Sequence, residues 1–201
     1  MVVADIVRLQ GIYRIFGFLD DVDSSRHGAE FCGASILGGE KQLGLLLNKG
    51  VKHILLGFGD CKMRLELTGS LQSRGFSLPV AVHPKAIVAE DVTLGSGTVI
   101  AGGAVVNPGT RIGSSVIINT SASVDHECII GDAAHICPGV HLAGRVLVGQ
   151  ATQIGIGTIV VDRVSIGART FIGAGALVIN DIPDNVVAYG IPASIKKRID
   201  K

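Results

Sequence analysis

The stretch VTLGSGTVIAGGAVVNPGTRIG, residues 92–113, contains the repeat that decides the fold. Stepping by six from Val82 to Val178 meets seventeen residues, and every one of them is aliphatic. Four places after each of these anchors stands a second residue that is small or of valine size, with Ile182 as the single exception. A six-residue repeat of this kind is typical of a parallel β-helix, in which each hexapeptide supplies one short strand.

A longer period of eighteen residues is marked by a column of glycines, Gly95, Gly113, Gly131, Gly149 and Gly167. Because eighteen residues are three hexapeptides, the sequence predicts a triangular prism whose coils stack about 4.8 Å apart. About five and a half coils fit between residues 82 and 183. We expect the glycines of the column to adopt the positive φ that a tight corner can require.

The first eighty residues lack this period. Helices are predicted at residues 2–9, 40–48 and 62–73, and strands at residues 12–19 and 51–58. Alternating helices and strands indicate a small parallel α/β layer. The predicted organisation is an α/β domain, a β-helix and a tail, at residues 1–80, 81–183 and 184–201.

Composition excludes several functions. A formal net charge of +1 argues against a nucleic-acid partner, because binding phosphates needs a basic stripe. No apolar run approaches the roughly 18 residues of a membrane span, so no membrane partner is expected. The four cysteines have no paired metal spacing and the N-terminus does not resemble a signal peptide, which together predict a reduced, cytoplasmic protein.

Titratable residues concentrate in one part of the repeat, SVDHECIIGDAAHICPGVHLAGR at residues 123–145. His126 stands two places after the anchor Val124, which predicts an outward position near a corner. A histidine beside a carboxylate is a candidate general base, and either Asp125 or Glu127 could hold its second ring nitrogen. Cys128 falls in an inward slot and is interpreted as core.

These residues, together with VVADIV, GFLDD, HLAGRVLVG and VVAYGIPASIKK, carry a family resemblance over essentially the whole chain. The chain resembles the sialic acid O-acetyltransferase and bacterial nucleotide-amino-sugar N-acetyltransferase family, which includes enzymes of the bacillosamine and perosamine type. The resemblance implies a mainly β fold, a left-handed parallel β-helix with a small Rossmann-like α/β domain. In that family a first strand and a Gly-rich loop precede VVADI, so we expect the N-terminal domain to lack its first strand.

The resemblance also implies a reaction, the acetyl-CoA-dependent acetylation of an amino group on a nucleotide-linked sugar. His126 would be the general base and Glu127 its supporting carboxylate, with no metal ion. The residues implied in binding acetyl-CoA are His135, Gly144, Ile156 and Ala174. The residues expected to bind the sugar substrate are Asp20, Asp21, Gly59 and Asn119, of which Asn119 is also expected to help position the base. The basic residues 196–198 are expected near the phosphates of acetyl-CoA by charge attraction.

Other functions stay open at this point. One is O-acetylation of sialic acid or another sugar, and another is a non-catalytic scaffold or sugar-binding protein. A γ-type carbonic anhydrase is disfavoured, because that family has two histidines five residues apart, whereas His126, His135 and His141 are nine and six apart. We expect a homotrimer in which His126 of one subunit faces the turns at Gly155 and Gly173 of the next.

Overall fold

The computed structural model describes residues 1–199. The N-terminal part contains three α-helices, α1 (Val2–Gln10), α2 (Leu43–Asn48) and α3 (Cys61–Ser73). It also contains three short strands, β1 (Phe18–Leu19), β2 (Glu30–Phe31) and β3 (Ala34–Gly38). Two 3-10 turns lie at Ser24–Arg26 and Glu40–Gln42. The three helices therefore lie where the sequence predicts them, to within one residue except at the start of α2.

The small sheet of this layer has the order β1-β3-β2, with β1 parallel and β2 antiparallel to β3. The two predicted strands form only in part. Of residues 12–19 only Phe18–Leu19 form a strand, and residues 51–58 make a single bridge, from His53 to Ser77. The reason is that a strand needs a hydrogen-bonded neighbour along its length, and neither stretch has one within residues 1–199.

The prism begins at Ala81 and contains seventeen two-residue strands at six-residue intervals. Its strands are β4 (Ala81–Val82), β5 (Ile87–Val88), β6 (Thr93–Leu94), β7 (Val99–Ile100), β8 (Val105–Val106), β9 (Arg111–Ile112), β10 (Ile117–Ile118), β11 (Ser123–Val124), β12 (Ile129–Ile130), β13 (His135–Ile136), β14 (His141–Leu142), β15 (Leu147–Val148), β16 (Gln153–Ile154), β17 (Ile159–Val160), β18 (Ser165–Ile166), β19 (Phe171–Ile172) and β20 (Leu177–Val178). Every third strand pairs in parallel, so that Ile117 lies between Val99 and His135. This is the left-handed parallel β-helix that the sequence predicts.

The prism has three faces, which we number in chain order. The first face contains β4, β7, β10, β13, β16 and β19, the second contains β5, β8, β11, β14, β17 and β20, and the third contains β6, β9, β12, β15 and β18. The first corner joins the first face to the second, the second corner joins the second to the third, and the third corner returns to the first face. Residues eighteen apart therefore stack on one face or corner.

The predicted anchors form the core of the prism. From Ile100 onwards all of them are at most 4% exposed, whereas the three anchors of the first coil are half-buried. The second inward row contains threonines whose hydroxyls donate to the carbonyl fifteen residues later, as Thr152 does to Gly167 at 2.6 Å. The Cys128 thiol makes the same contact with the carbonyl of Ala143 at 3.2 Å, which confirms that Cys128 belongs to the core.

The glycine column has a different cause from the one predicted. Positive φ occurs three residues after every anchor from Leu94 to Ile172, at glycines and also at residues such as Ser115, Glu127 and Arg145. The column glycines follow the anchors directly and are not left-handed. A Cβ on Gly131 would instead lie 2.6 Å from the backbone nitrogen of Gln150 on the next coil. The expectation of positive φ was wrong, and the close approach of stacked coils requires the glycines.

Two segments cover the ends of the prism. Helix α1 packs Ile6 against Ala81 of the first coil and Val99 of the second. At the other end, β21 (Val186–Gly190) extends the first face beside β19, and β22 (Ala193–Arg198) returns antiparallel to it. None of the helices within residues 1–199 is long and apolar enough to cross a membrane.

Candidate active site

His126 lies on the second corner, two residues after β11, and its side chain is 47% exposed. Its Nδ1 atom is 3.1 Å from Oε2 of Glu127. Its backbone N–H donates to Oδ1 of Asp125 at 2.7 Å. The outward position is therefore confirmed, and of the two neighbouring acids it is Glu127 that contacts the ring.

Both acids beside His126 are stabilised as carboxylates. Hydrogen bonding to His126 and the charge of Arg145 lower the pKa of Glu127, whose Oε2 lies 2.6 Å from the guanidinium of Arg145. The pKa of Asp125 is lowered by the hydrogen bonds that it accepts from the backbone of His126 and from Asn107. The corner therefore presents an imidazole with Glu127 on its ring, Asp125 on its backbone N–H and Arg145 on the carboxylate of Glu127.

Gly144 lies directly over this histidine, eighteen residues later on the same corner. A Cβ at Gly144 would approach Nε2 of His126 to 2.5 Å, so only glycine leaves room for the ring in this position. The backbone N–H of Gly144 has no acceptor among residues 1–199. The structure thus brings Gly144, a predicted cofactor-binding residue, against the ring of His126, and its predicted role in binding acetyl-CoA stays a prediction.

Ile156 and Ala174 stack on the first corner, where the N–H of Gly175 donates to the carbonyl of Ile156 at 2.8 Å. Both side chains point outward, and Ile156 is 60% exposed. Because the first and second corners are separate edges of one prism, a single chain does not bring these residues to His126. The predicted cofactor residues and the predicted base therefore lie on different corners.

His135 lies on β13 of the first face and forms a cluster with Asn119 and Gly59. Nδ2 of Asn119 is 3.1 Å from Nε2 of His135, while Oδ1 of Asn119 accepts the N–H of Thr120 at 2.8 Å. Nε2 is therefore an acceptor, which places the ring proton on Nδ1. That atom is buried beside Gly59 without a hydrogen-bond partner. Within the chain Asn119 thus contacts His135, and its predicted help in positioning His126 stays a prediction.

The surroundings of His135 favour its neutral form. Burial lowers its pKa to about 4, and the positive charge of Arg64 acts in the same direction. At neutral pH His135 is therefore an uncharged hydrogen-bonding group, whose acceptor nitrogen is used by Asn119. Its predicted role in binding acetyl-CoA stays a prediction.

Arg64 is a residue that the sequence reasoning missed. Its guanidinium is 1% exposed and donates to the carbonyls of Ser115 at 3.1 Å, Ala133 at 2.8 Å and Phe58 at 3.1 Å. It joins α3 to the third corner without a carboxylate partner in residues 1–199. The signal in the sequence was its position on a stripe with spacings of three and four residues along α3, which also contains Cys61, Thr68 and Leu71.

The two aspartates that follow β1 have local partners. Asp20 accepts the N–H of Val22 at 3.0 Å and pairs with Arg26 at 2.8 Å. Asp21 accepts the N–H of Glu40 at 2.8 Å. Their carboxylates therefore hold the loops of the α/β layer, and binding of a sugar nucleotide by either stays a prediction.

The remaining histidine of the polar stretch, His141, points outward from the second face, with Nδ1 at 2.8 Å from the hydroxyl of Ser123. Within residues 1–199 no group of three or more His, Cys, Asp or Glu side chains is arranged to hold a metal ion.

Comparisons with known proteins agree on one family. The model of the PglD N-terminal domain matches residues 1–71. The structure of PerB from Caulobacter crescentus in complex with CoA and GDP-perosamine is 37% identical, with a TM-score of 0.92 over 98% of this chain and 91% of that one. Variants of that perosamine N-acetyltransferase with one histidine replaced superpose with a TM-score of 0.93.

A second similar structure is the acetyltransferase domain of PglB from Neisseria gonorrhoeae, which has also been solved with acetyl coenzyme A. It is 34% identical, with a TM-score of 0.90 over 97% of this chain and 93% of that one. Among curated protein sequences there is no match. The fold and the site together define a hexapeptide-repeat acyltransferase. More specifically, the chain belongs to the family of bacterial nucleotide-amino-sugar N-acetyltransferases.

Proposed function

We propose that the chain transfers an acetyl group from acetyl-CoA to an amino group of a nucleotide-linked sugar. Two of the similar structures support the proposal, one with CoA and GDP-perosamine and one with acetyl coenzyme A. In each of them more than nine-tenths of the chain is matched by this protein. The observation that carries it is the exposed second corner, where His126 holds Nδ1 against Glu127 and keeps Nε2 free beside Gly144.

The geometry supports a direct transfer with His126 as general base. Glu127 accepts a hydrogen bond from the Nδ1–H of the neutral ring, which leaves Nε2 as the basic atom. As the sugar amine attacks the thioester carbonyl carbon, Nε2 takes a proton from the nitrogen. The carbon–sulfur bond then breaks, and the imidazolium returns that proton to the CoA thiolate. The unpaired N–H of Gly144 is the candidate donor to the oxygen that becomes negative on the way.

A complete site requires two subunits in this proposal. The base lies on the second corner, and the expected cofactor residues Ile156 and Ala174 lie on the first. The second face joins these corners and exposes Ile87 at 67% and Ile159 at 50%. A cyclic homotrimer would cover such apolar side chains and form three sites at its seams.

The basic tail fits the same seam. Tyr189 of β21 lies over Gly173, where a Cβ would come within 2.7 Å of the tyrosine Cβ. Lys196 of β22 lies 5.1 Å from the centre of the Tyr189 ring. These contacts set the cationic strand beside the turn that contains Ala174, where it is proposed to attract the phosphates of acetyl-CoA.

A cytoplasmic location is part of the proposal. All four cysteines are free, which is the usual state in a reducing compartment. An acetylated nucleotide sugar would serve there as a precursor for polysaccharide assembly.

The central experiment is an assay of thiol release from acetyl-CoA with UDP- and GDP-linked amino sugars. Each amino sugar is matched by the sugar that has a hydroxyl at the same carbon, and free sialic acid is included. Release with an amino sugar and none with its hydroxyl counterpart is the expected result. Release with sialic acid alone would favour O-acetylation, and a folded protein inactive with every acceptor would contradict the proposal.

Mixing two inactive variants tests the shared site. His126→Ala removes the base and Ala174→Trp obstructs the first corner, so each homotrimer is inactive for a different reason. In randomly mixed trimers one seam in four combines an intact base with an intact cofactor corner, which should restore about a quarter of the activity. Sites contained within one chain would stay inactive in every mixture, and a monomer mass by light scattering would also exclude this arrangement.

A further inference from the structure

Arg145 lies on the second corner, eighteen residues after Glu127. Both residues have positive φ, 61° for Arg145 and 58° for Glu127, so their side chains leave equivalent points of stacked coils. Nη2 of Arg145 is 2.6 Å from Oε2 of Glu127, and the same oxygen is 3.1 Å from Nδ1 of His126. The three side chains form a row in which one carboxylate oxygen is shared between an arginine and the base.

We infer that Arg145 is a positioning residue for acetyl transfer, which holds Glu127 against Nδ1 of His126 and limits how strongly that carboxylate favours the protonated ring. The inference rests on the proposed role of His126 as the general base. It assigns Arg145 no contact with the substrate or with acetyl-CoA.

The physical reason is a balance between two demands on the base. A carboxylate on one ring nitrogen orients the imidazole but also stabilises its charged form. A base that is already protonated cannot accept the proton of the attacking amine. A cation on the same carboxylate oxygen disfavours a positive charge on the imidazole and at the same time holds the carboxylate in place. Arg145 therefore keeps the imidazole oriented without stabilising its protonated form as strongly as Glu127 alone would.

The other charged groups at this corner have partners of their own. Asp125 accepts the backbone N–H of His126, and Asp91, two coils before, accepts the N–H of Gly109 at 2.9 Å. On the coil after Arg145, Asp162 pairs with Arg163 at 2.8 Å. Of the two arginines at this corner, it is therefore Arg145 that contacts Glu127, the residue whose carboxylate lies against the His126 ring.

Arg163 provides a matched control for the test. It occupies the same corner one coil later with φ 60°, and its partner is Asp162 and not Glu127. Arg145→Met should move the acidic limb of the kcat/KM profile to higher pH by a few tenths of a pH unit, the scale of half-exposed charge pairs. On that limb the rate should fall about two- to fourfold. Arg163→Met should leave the acidic limb unchanged. Arg145→Lys, which keeps the positive charge, should leave the limb close to its wild-type position.

An NMR titration of the His126 ring gives a readout that does not depend on turnover. In Arg145→Met the ring should titrate at higher pH than in wild type, and in Arg163→Met it should not. If the ring titration does not move in Arg145→Met, the inference is wrong whatever the rate does. If the ring titration moves and the acidic limb does not, His126 is not the base and the inference fails with that role, whereas acetyl transfer itself is judged separately by thiol release.

Discussion

His126 and His135 are nine residues apart, yet their surroundings are opposite. His126 lies on an exposed corner beside Glu127, Asp125 and Arg145. His135 lies half-buried on the first face, where Asn119 occupies one nitrogen and burial lowers its pKa to about 4. His126 is open to ligands on the outside of the prism, and His135 is held neutral within the protein.

The hexapeptide period accounts for the difference. Nine residues are one and a half repeats, so two histidines at this spacing cannot occupy equivalent positions. His126 falls two places after an anchor, at a turn, while His135 directly precedes the anchor Ile136 and points outward from a strand. The first face is covered there by the N-terminal layer, which contacts His135 through Gly59.

The sharpest test of this comparison is His126→Ala. Turnover should fall by roughly a hundred- to ten-thousandfold, the usual contribution of a general base. Affinity for acetyl-CoA, measured by calorimetry, should stay nearly unchanged, because the ring is proposed to face the acceptor. His141→Ala, which removes another outward histidine, should retain turnover. Wild-type turnover in an assembled His126→Ala protein would remove the distinction between the two histidines.

The buried His135 should make the stability of the protein depend on pH. Because the pKa of His135 is about 4 in the folded protein against 6.5 ordinarily, the unfolded chain takes up the proton first as the pH falls. Stability should therefore decrease as the pH falls from about 6.5 to 4, by about 3 kcal/mol.

His135→Gln keeps a hydrogen-bonding group opposite Asn119 and should flatten this part of the profile. Chemical denaturation of both proteins at several pH values provides the measurement. An identical pH dependence in the variant would show that His135 is not the group held neutral by burial.

Gly144→Ala perturbs the exposed histidine alone. The new Cβ would meet the His126 ring, which must swing away, so turnover should fall by up to about a hundredfold with little change in stability. Gly102→Ala is the control at the same place in the hexapeptide, where the Cβ would meet His83 at an ordinary 3.4 Å. Equal effects of the two substitutions on turnover would contradict the placement of the ring over Gly144.

The smallest expected effect is the shift of the acidic limb in Glu127→Gln. A carboxylate beside the imidazole favours its protonated form, so its removal should move the acidic limb of the rate profile to lower pH. The loss of turnover should be smaller than in His126→Ala. Wild type and variant are compared with one acceptor, so that the titration of the acceptor amine is common to both. A shift to higher pH would contradict the contact between Glu127 and the ring.

The repeat made much of this structure predictable from the sequence. A period of six assigns each residue of the prism to a face or a corner, and the outward position of His126 and the inward position of Cys128 follow from it directly. The period predicts the position of a residue but not its backbone conformation. For this reason the expectation of positive φ at Gly131 and its equivalents was wrong. Strand formation at residues 51–58 depended on a neighbouring strand, about which a local pattern says nothing.

The contacts of Arg64 and Asn119 were beyond reach for a related reason. Arg64 donates to backbone carbonyls 51 to 70 residues away. Every residue has a backbone carbonyl, so the sequence does not indicate which ones accept these hydrogen bonds. Asn119 lies sixteen residues from His135, and its proximity to His126 along the chain gave no indication of this contact. In both cases the docking of the N-terminal layer and the stacking of coils determine the contact.

The stacking of equivalent residues at eighteen-residue intervals also limits how the length of this chain can change. Deleting six residues between His126 and Ile156 would turn everything after the deletion by one face and carry Ile156 from the first corner to the third. Deleting eighteen residues would keep every later residue on its own edge and bring the two groups closer along the prism by one step of about 4.8 Å. Whole coils are therefore the unit in which such a protein can grow or shrink while every later residue keeps its own face or corner.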